Sequence, residues 1–180
     1  MPLFRKHLTP AALGGMIYEL LRQELESSGE LGIQSLLGHL ELDRADMHNQ
    51  YRGDIMISLM FAAVMAIERS TGGKTARGII SGMKEEFLTH LEEQGASPLQ
   101  RSEWEATIAS SFLLYRSALE TYTGFEPPWK LGRQLYWNLV GEERYQAMAI
   151  KIATLYLMAG RDRVQDLLNM HGPLMLTERE

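Results

Sequence analysis

Apolar residues recur along most of the chain at intervals of three and four, which is the spacing of one face of an α-helix. Two of these stripes follow Thr9-Pro10 and Ser97-Pro98, pairs that supply a hydroxyl cap and a proline at the first helical position. Alternation with a period of two, typical of half-buried strands, is nearly absent. The pattern therefore predicts an all-α fold, a bundle of about seven to eight helices.

The third predicted helix, near residues 44–70, differs from the others. Its start is amphipathic, with Asp43 placed to cap it, but residues 55–67 are apolar on every side except at Ser58. Because a helix that is apolar all round must be enclosed, we expect the bundle to surround this segment. The enclosing surface could belong to this chain, to a second copy or to a ligand. Asp54 and Glu68 bound the run, which is shorter than a membrane span of about 20 residues.

Glycines and capping residues indicate where other helices begin and approach one another. Gly78 and Gly82 lie one turn apart in the predicted fourth helix, so another backbone can come close there. Ser102-Glu103-Trp104-Glu105 offers a capping box close to the start of the fifth helix.

The C-terminal third of the chain is predicted to hold three helices. A proline-rich loop at residues 125–129 precedes a sixth helix at about 130–140, and a seventh follows at about 142–159. Asp162-Arg163-Val164-Gln165 is a capping-box pattern and predicts the start of an eighth. We expect one helical domain over residues 1–180, with residues 129–172 as a candidate C-terminal subregion.

Composition narrows the classes of function. The 180-residue chain has a net charge of −5 and no cysteine. The missing thiols exclude disulfides, thiolate nucleophiles, zinc-thiolate sites and Fe–S clusters. Basic residues are dispersed rather than gathered into the stripe with which nucleic-acid binders neutralise phosphates. With no signal-peptide pattern, these features favour a cytoplasmic protein that binds no nucleic acid and does not span a membrane.

Motifs that carry specific chemistry are incomplete. Gly72-Gly73-Lys74-Thr75 resembles the end of a phosphate-binding loop, but Glu68 stands where that loop needs a glycine. None of the five histidines follows a glutamate by three positions, as the di-metal sites of helical bundles require. His39 and Asp43, with Glu41, Asp46 and His48 nearby, are a weaker candidate for a divalent ion. A solvated helix junction is the alternative. We therefore predict no catalytic residue, metal site or cofactor.

Two groups of residues are candidates for binding a ligand or a partner. Met56 and Met60 lie on the third helix, and methionine both fills cores and lines adaptable binding surfaces. Aromatic residues, which are enriched at interfaces, form the second group around the Pro-Pro segment: Phe125, Trp129, Tyr136 and Trp137. Core packing is the alternative interpretation of both groups.

These observations leave three functions open. The first, which we expect, is a non-catalytic interaction or assembly protein that buries apolar helix surface against a protein partner or in a homodimer or other homo-oligomer. The second is a binder of a small hydrophobic ligand in a cavity lined by methionine and aromatic residues. The third is a metal-dependent enzyme or one that uses a buried carboxylate, Asp54 or Glu68, unless these pair with Arg52 or Arg69.

Overall fold

A computed structural model of the chain describes residues 8–42, 48–121, 126–141 and 145–175, which form seven α-helices and no strand. The predicted all-α class is confirmed. The helices are α1 (Pro10–Glu26), α2 (Ile33–His39), α3 (His48–Ser70), α4 (Gly73–Glu93), α5 (Pro98–Thr121), α6 (Pro127–Val140) and α7 (Ala147–Met175).

The centre of the bundle is α3. Every residue from 55 to 67 is buried except Met65, which is half-buried. Contacts from α1, α4, α5, α6 and α7 supply the enclosing surface, so the chain itself covers this helix. The predicted central helix is confirmed, while Asp43 and the predicted start near residue 44 lie outside the described residues. Among the helices that the structure describes, none combines the length and the apolar character needed to cross a membrane.

Glycines bring the backbones of α1 and α4 into direct contact. A Cβ atom placed on Gly14 would meet the carbonyl oxygen of Ile79 and lie 2.5 Å from the backbone nitrogen of Met83. A Cβ atom on Gly82 would lie 2.6 Å from the Cα atom of Ala11. Neither position has room for a larger residue. The close approach predicted at Gly82 is therefore confirmed, and α1 is the helix that makes it.

The C-terminal helices also cross closely, and here one prediction is wrong. A Cβ atom on Gly132 of α6 would lie 2.6 Å from the backbone nitrogen of Thr154 in α7. A Cβ atom on Gly160 of α7 would lie 2.6 Å from Cδ2 of Leu59 in α3. Gly160 thus serves packing, and α7 continues through it, so the separate eighth helix predicted from Asp162 does not exist.

Local signals set the ends of α5 and α6. Ser97 and Gln100 form a reciprocal capping box at the start of α5, with N–H to side-chain oxygen distances of 2.8 and 3.3 Å. The box predicted at residues 102–105 is wrong, since it lies inside the helix. Residues 127 and 128, predicted as loop, form the first turn of α6, where proline is tolerated. As predicted, Gly141 ends α6, with a φ of +74°.

Candidate functional site

Four helices of the bundle converge on a cavity of about 290 Å³ that opens to solvent on one side. Its wall combines large aromatic and aliphatic side chains with a polar rim. The lining residues are Tyr18 and Arg22 of α1, Arg52, Gly53 and Met56 of α3, Phe87, His90 and Leu91 of α4, Gln94 at the C-cap of α4, and Trp104 of α5. We refer to this cavity as the aromatic pocket.

Three aromatic rings from three helices form the wall of the aromatic pocket. The ring centroids of Tyr18 and Phe87 are 5.9 Å apart with an angle of 85° between the planes. Phe87 and Trp104 are 5.7 Å apart at 72°. Both are edge-to-face arrangements, in which the positive edge of one ring meets the negative face of the other. The rings therefore hold each other in place and present a preformed apolar surface.

A glycine in α3 makes room for the largest of these rings. A Cβ atom on Gly53 would lie 2.5 Å from Cη2 and 3.1 Å from Cζ3 of Trp104. The indole can lie against α3 only because residue 53 has no side chain. Gly53 comes two residues before the apolar run of α3, so the pocket lies near the N-terminal end of this helix.

Ion pairs between α1 and α3 form one side of the pocket rim. Arg22 donates hydrogen bonds to Glu19 at 2.6 and 2.9 Å and to Glu26 at 2.8 Å. The second carboxylate oxygen of Glu26 accepts a hydrogen bond from Arg52. The hydrogen bonds from Arg22 and Gln23 lower the pKa of Glu19 to about 2. Two guanidinium groups and two carboxylates thus neutralise one another.

Tyr18 is the one ionisable residue lining the pocket that is buried, with 3% of its surface exposed. Burial raises the pKa of this phenol, so the group stays protonated at neutral pH. The charges of Arg22 and Arg52 oppose this rise in pKa, whereas those of Glu19 and Glu26 add to it. His90, by contrast, accepts a hydrogen bond of 2.9 Å from Gln94.

The two predicted methionines occupy different surroundings. Met56 lines the aromatic pocket and is otherwise buried, with 4% of its surface exposed. Met60, one turn further along α3, has no exposed surface and belongs to the core. The pocket therefore joins Met56 to aromatic residues of α1, α4 and α5.

The predicted aromatic residues of α6 do not line this pocket. Phe125 lies outside the described residues. Tyr136 is buried, and its hydroxyl donates a hydrogen bond of 2.7 Å to Gln146. Trp137 is half-buried, and the guanidinium carbon of Arg133 lies 4.2 Å from the centroid of one of its rings. Trp129 is also half-buried, and its Nε1 atom has no hydrogen-bond partner among the described residues.

The two carboxylates that bound the apolar run have different environments. Glu68 is exposed and forms an ion pair of 2.5 Å with Arg116, so it is not a buried acid. Asp54 is half-buried, and desolvation raises its pKa. No ion pair joins Asp54 to another described residue. The pairs considered with Arg52 and Arg69 are wrong, because Arg52 binds Glu26 and Glu68 binds Arg116.

A short chain of hydrogen bonds crosses the core next to Asp54. Nδ2 of Asn138 donates to the hydroxyl of Tyr115 at 3.3 Å, and that hydroxyl contacts the hydroxyl of Ser58. Ser58 donates to the backbone carbonyl of Asp54 at 2.7 Å. Every hydrogen therefore has an acceptor if Tyr115 donates to Ser58. This network accounts for the one polar residue in the apolar run of α3.

The described residues contain no group of three or more histidine, aspartate or glutamate side chains arranged to hold a metal ion. Of the weak candidate set, His39 bonds through Nδ1 to the carbonyl oxygen of Ser35 at 2.6 Å. Asp43 lies outside the part of the chain that the structure describes.

Most of the pocket could not be found from the sequence. Phe87 and Trp104 belong to apolar stripes that the sequence shows clearly, and Tyr18 lies on the apolar face of α1. The meeting of these stripes depends on how three helices cross, which periodicity does not reveal. Gly53, inside the helical pattern two residues before the apolar run, is the one signal in the sequence that a large side chain packs against α3.

Comparison with protein-family models, with curated proteins and with solved structures gives no match for this chain.

Proposed function

We propose that this protein is a non-catalytic binder of a small, flat, largely apolar molecule in the aromatic pocket. The observation that carries the proposal is a cavity of about 290 Å³ walled by Tyr18, Phe87 and Trp104. Concave sites lined by aromatic side chains with a few polar groups are the usual form of small-molecule sites. The edge-to-face packing of the rings means that little reorganisation is needed before binding.

The size of the cavity limits the ligand. An apolar cavity of about 150 Å³ holds benzene, so about 290 Å³ accommodates two fused rings. The rim supports binding more than catalysis. Arg22 and Arg52 are occupied by carboxylates, so neither guanidinium group is free to bind a reacting anion.

Naphthalene and nuclear magnetic resonance provide a direct test. The protein has three tryptophans, and each indole N–H gives a separate signal. Naphthalene should shift the signal of Trp104 and leave those of Trp129 and Trp137 in place. Trp104→Phe should weaken binding, whereas Trp137→Phe, a matched change at a half-buried ring outside the pocket, should not. Equal shifts of all three signals, or none, would refute the proposal.

A second candidate function, self-association, is favoured by the outer face of α5. This helix buries one narrow stripe: Ile108, Phe112, Tyr115 and Ala118. On the other side Leu99 and Leu113 are each 69% exposed and Leu114 is 46% exposed. No charged residue occurs from 106 to 115. Three turns of uncharged, solvent-facing helix surface are typical of a contact with another protein.

A second copy of the same chain suits this face. If two α5 helices pair in antiparallel orientation about a twofold axis between residues 110 and 111, Leu113 of one copy lies between Ala106 and Ser110 of the other. Large side chains then meet small ones, as a self-complementary interface requires.

Sedimentation velocity over a range of concentrations tests the self-association. Leu113→Glu should convert any dimer to monomer. Leu155→Glu is the matched control, because Leu155 is 60% exposed on α7 and lies outside the face. If the two variants behave alike, or the unmodified protein is monomeric at high concentration, α5 is not a self-association surface.

A further inference from the structure

The ionisable side chains that line the aromatic pocket are a phenol, that of Tyr18, and three bases. The bases are Arg22, Arg52 and His90. No aspartate or glutamate among the residues that the structure describes belongs to this lining. The carboxylates of Glu19 and Glu26 bind the two guanidinium groups from outside it. Each ion pair therefore turns its positive member toward the cavity.

The pKa of Tyr18 responds to the sign of the electrostatic potential at this wall. Burial has the largest effect and raises the pKa. Of the nearby charges, Arg22 lowers the pKa more than Glu19 raises it. Arg52 likewise lowers the pKa more than Glu26 raises it. Because a cation favours the phenolate and an anion opposes it, the two ion pairs together produce a positive potential here, although their formal charges cancel.

Arg52 has hydrogen-bond donors that it does not use within the described part of the protein. A guanidinium group carries five N–H groups. Arg22 donates three hydrogen bonds to Glu19 and Glu26, one from each of its nitrogens. Arg52 donates one, to Glu26, among the residues that the structure describes. Its side chain is 44% exposed and lines the cavity, so the other N–H groups can meet a ligand there.

A neutral hydrogen-bond acceptor is the polar group that suits this wall. The positive potential attracts the oxygen of a carbonyl group, which is the negative end of the bond dipole, and it repels a cation. A carboxylate would also be attracted, but it would lose its hydration against guanidinium groups that already have counter-charges. A ketone or amide oxygen has less hydration to lose on burial.

From these observations we infer that the ligand of the aromatic pocket is an uncharged two-ring aromatic molecule with a carbonyl group, whose oxygen accepts a hydrogen bond from Arg52. The inference rests on the proposed function and adds the chemical class of the ligand. In the bound state the rings lie among Phe87, Trp104 and Met56, and the carbonyl group faces the rim formed by α1 and α3. Arg52 thus distinguishes a carbonyl compound from a hydrocarbon of the same shape.

Three two-ring probes of similar shape test the inference: 2-acetylnaphthalene, 2-isopropenylnaphthalene and 2-naphthoate. The second replaces the carbonyl oxygen of the first with a CH2 group, and the third is charged at pH 7. Binding is followed through the indole signal of Trp104. The unmodified protein should bind the ketone about tenfold more tightly than the isopropenyl compound, the effect of one hydrogen bond to a charged group. It should bind 2-naphthoate no more tightly than the ketone.

Arg52→Met removes the N–H donors and keeps an unbranched apolar stem. In this variant the ketone and the isopropenyl compound should bind equally well, and the affinity for the isopropenyl compound should not change. Arg163→Met is the matched control, because Arg163 also pairs with a carboxylate of α1, that of Glu24 at 3.5 Å, but does not line the pocket. It should keep the preference for the ketone.

The possible results separate this inference from the proposed function. If the isopropenyl compound binds but the ketone gains nothing, or the gain survives in Arg52→Met, the inference is wrong and the pocket remains a binding site. Tighter binding of 2-naphthoate than of the ketone also overturns it, because the preferred ligand is then an anion. If none of the three probes moves the Trp104 signal, the inference and the proposed binding function both fail.

Discussion

Replacing Gly14 with alanine tests whether backbone contact between α1 and α4 determines the geometry of the aromatic pocket. The added Cβ atom would meet the Ile79 carbonyl oxygen and lie 2.5 Å from the Met83 backbone nitrogen, where 3.4–4 Å is ordinary contact. Both atoms belong to helical backbone and cannot turn aside, so the two helices must separate. Tyr18 lies one turn further along α1, so its contact with the ring of Phe87 should loosen as well.

The expected change in the free energy of unfolding for Gly14→Ala is the balance of two opposing effects. Alanine is favoured over glycine in a helix by about 1 kcal/mol, and overpacking a rigid core costs about 1–3 kcal/mol. Because no side chain can absorb the clash, we expect the upper end of that cost and a net loss of about 2 kcal/mol for Gly14→Ala. Gly15→Ala is the matched control, since its Cβ atom meets only the carboxylate of Glu86, at 3.2 Å. That side chain can swing away, so this variant should gain up to about 1 kcal/mol.

Urea unfolding followed by circular dichroism at 222 nm measures both variants under the same conditions. The two free energies of unfolding should differ by about 2–3 kcal/mol, with Gly15→Ala the more stable. In a thermal melt this difference corresponds to about 4–12 °C for a chain of this length. Equal stabilities, or a more stable Gly14→Ala variant, would show that the helices are not held at backbone contact.

Three further predictions concern the central helix and its neighbours. Because burial raises the pKa of Asp54, its charged form destabilises the fold above that pKa. Asp54→Asn should therefore unfold at higher urea than the unmodified protein at pH 7, and the two midpoints should converge as the pH falls below about 4; a pH-independent difference would contradict this. Tyr115→Phe leaves Asn138 without its acceptor and should lower the free energy of unfolding by about 1–3 kcal/mol in urea melts. Gly53→Ala should push the ring of Trp104 into the pocket, which would appear as a shifted indole signal and weaker naphthalene binding, and an unmoved signal would count against it.

The sequence predicts those parts of the fold that depend on local pattern. The all-apolar run of α3 indicates a central helix because such a helix must be enclosed. Gly82 indicates a close crossing because a residue without a side chain lets another backbone approach. Gly160 shows where such reasoning fails. A glycine in a helical pattern either ends the helix or admits a neighbour, and only the position of Leu59 decides that α7 continues. Pro127 is likewise compatible with a loop and with a first helical turn.

The candidate site is harder to predict because it belongs to no single element. Met56 was selected as a methionine on the central helix, but its pocket neighbours Tyr18, Phe87 and Trp104 look in the sequence like ordinary core residues. What distinguishes them is the cavity that they line together, and this cavity depends on side-chain positions across several helices. The aromatic residues of α6 were predicted as binding residues because they lie close together in the sequence. In the structure Tyr136 is buried, and its hydroxyl bonds to Gln146 instead of facing a pocket.

Helix α5 takes part in both the aromatic pocket and the proposed self-association surface. Its inner side carries Trp104 into the aromatic pocket, and its outer side carries the exposed Leu113. A second copy bound to the outer side of α5 would act on the same helix that carries Trp104 into the pocket. Ligand affinity and dimer affinity would then be thermodynamically linked, each changing the other by the same factor, and protein concentration itself would tune the occupancy of the pocket.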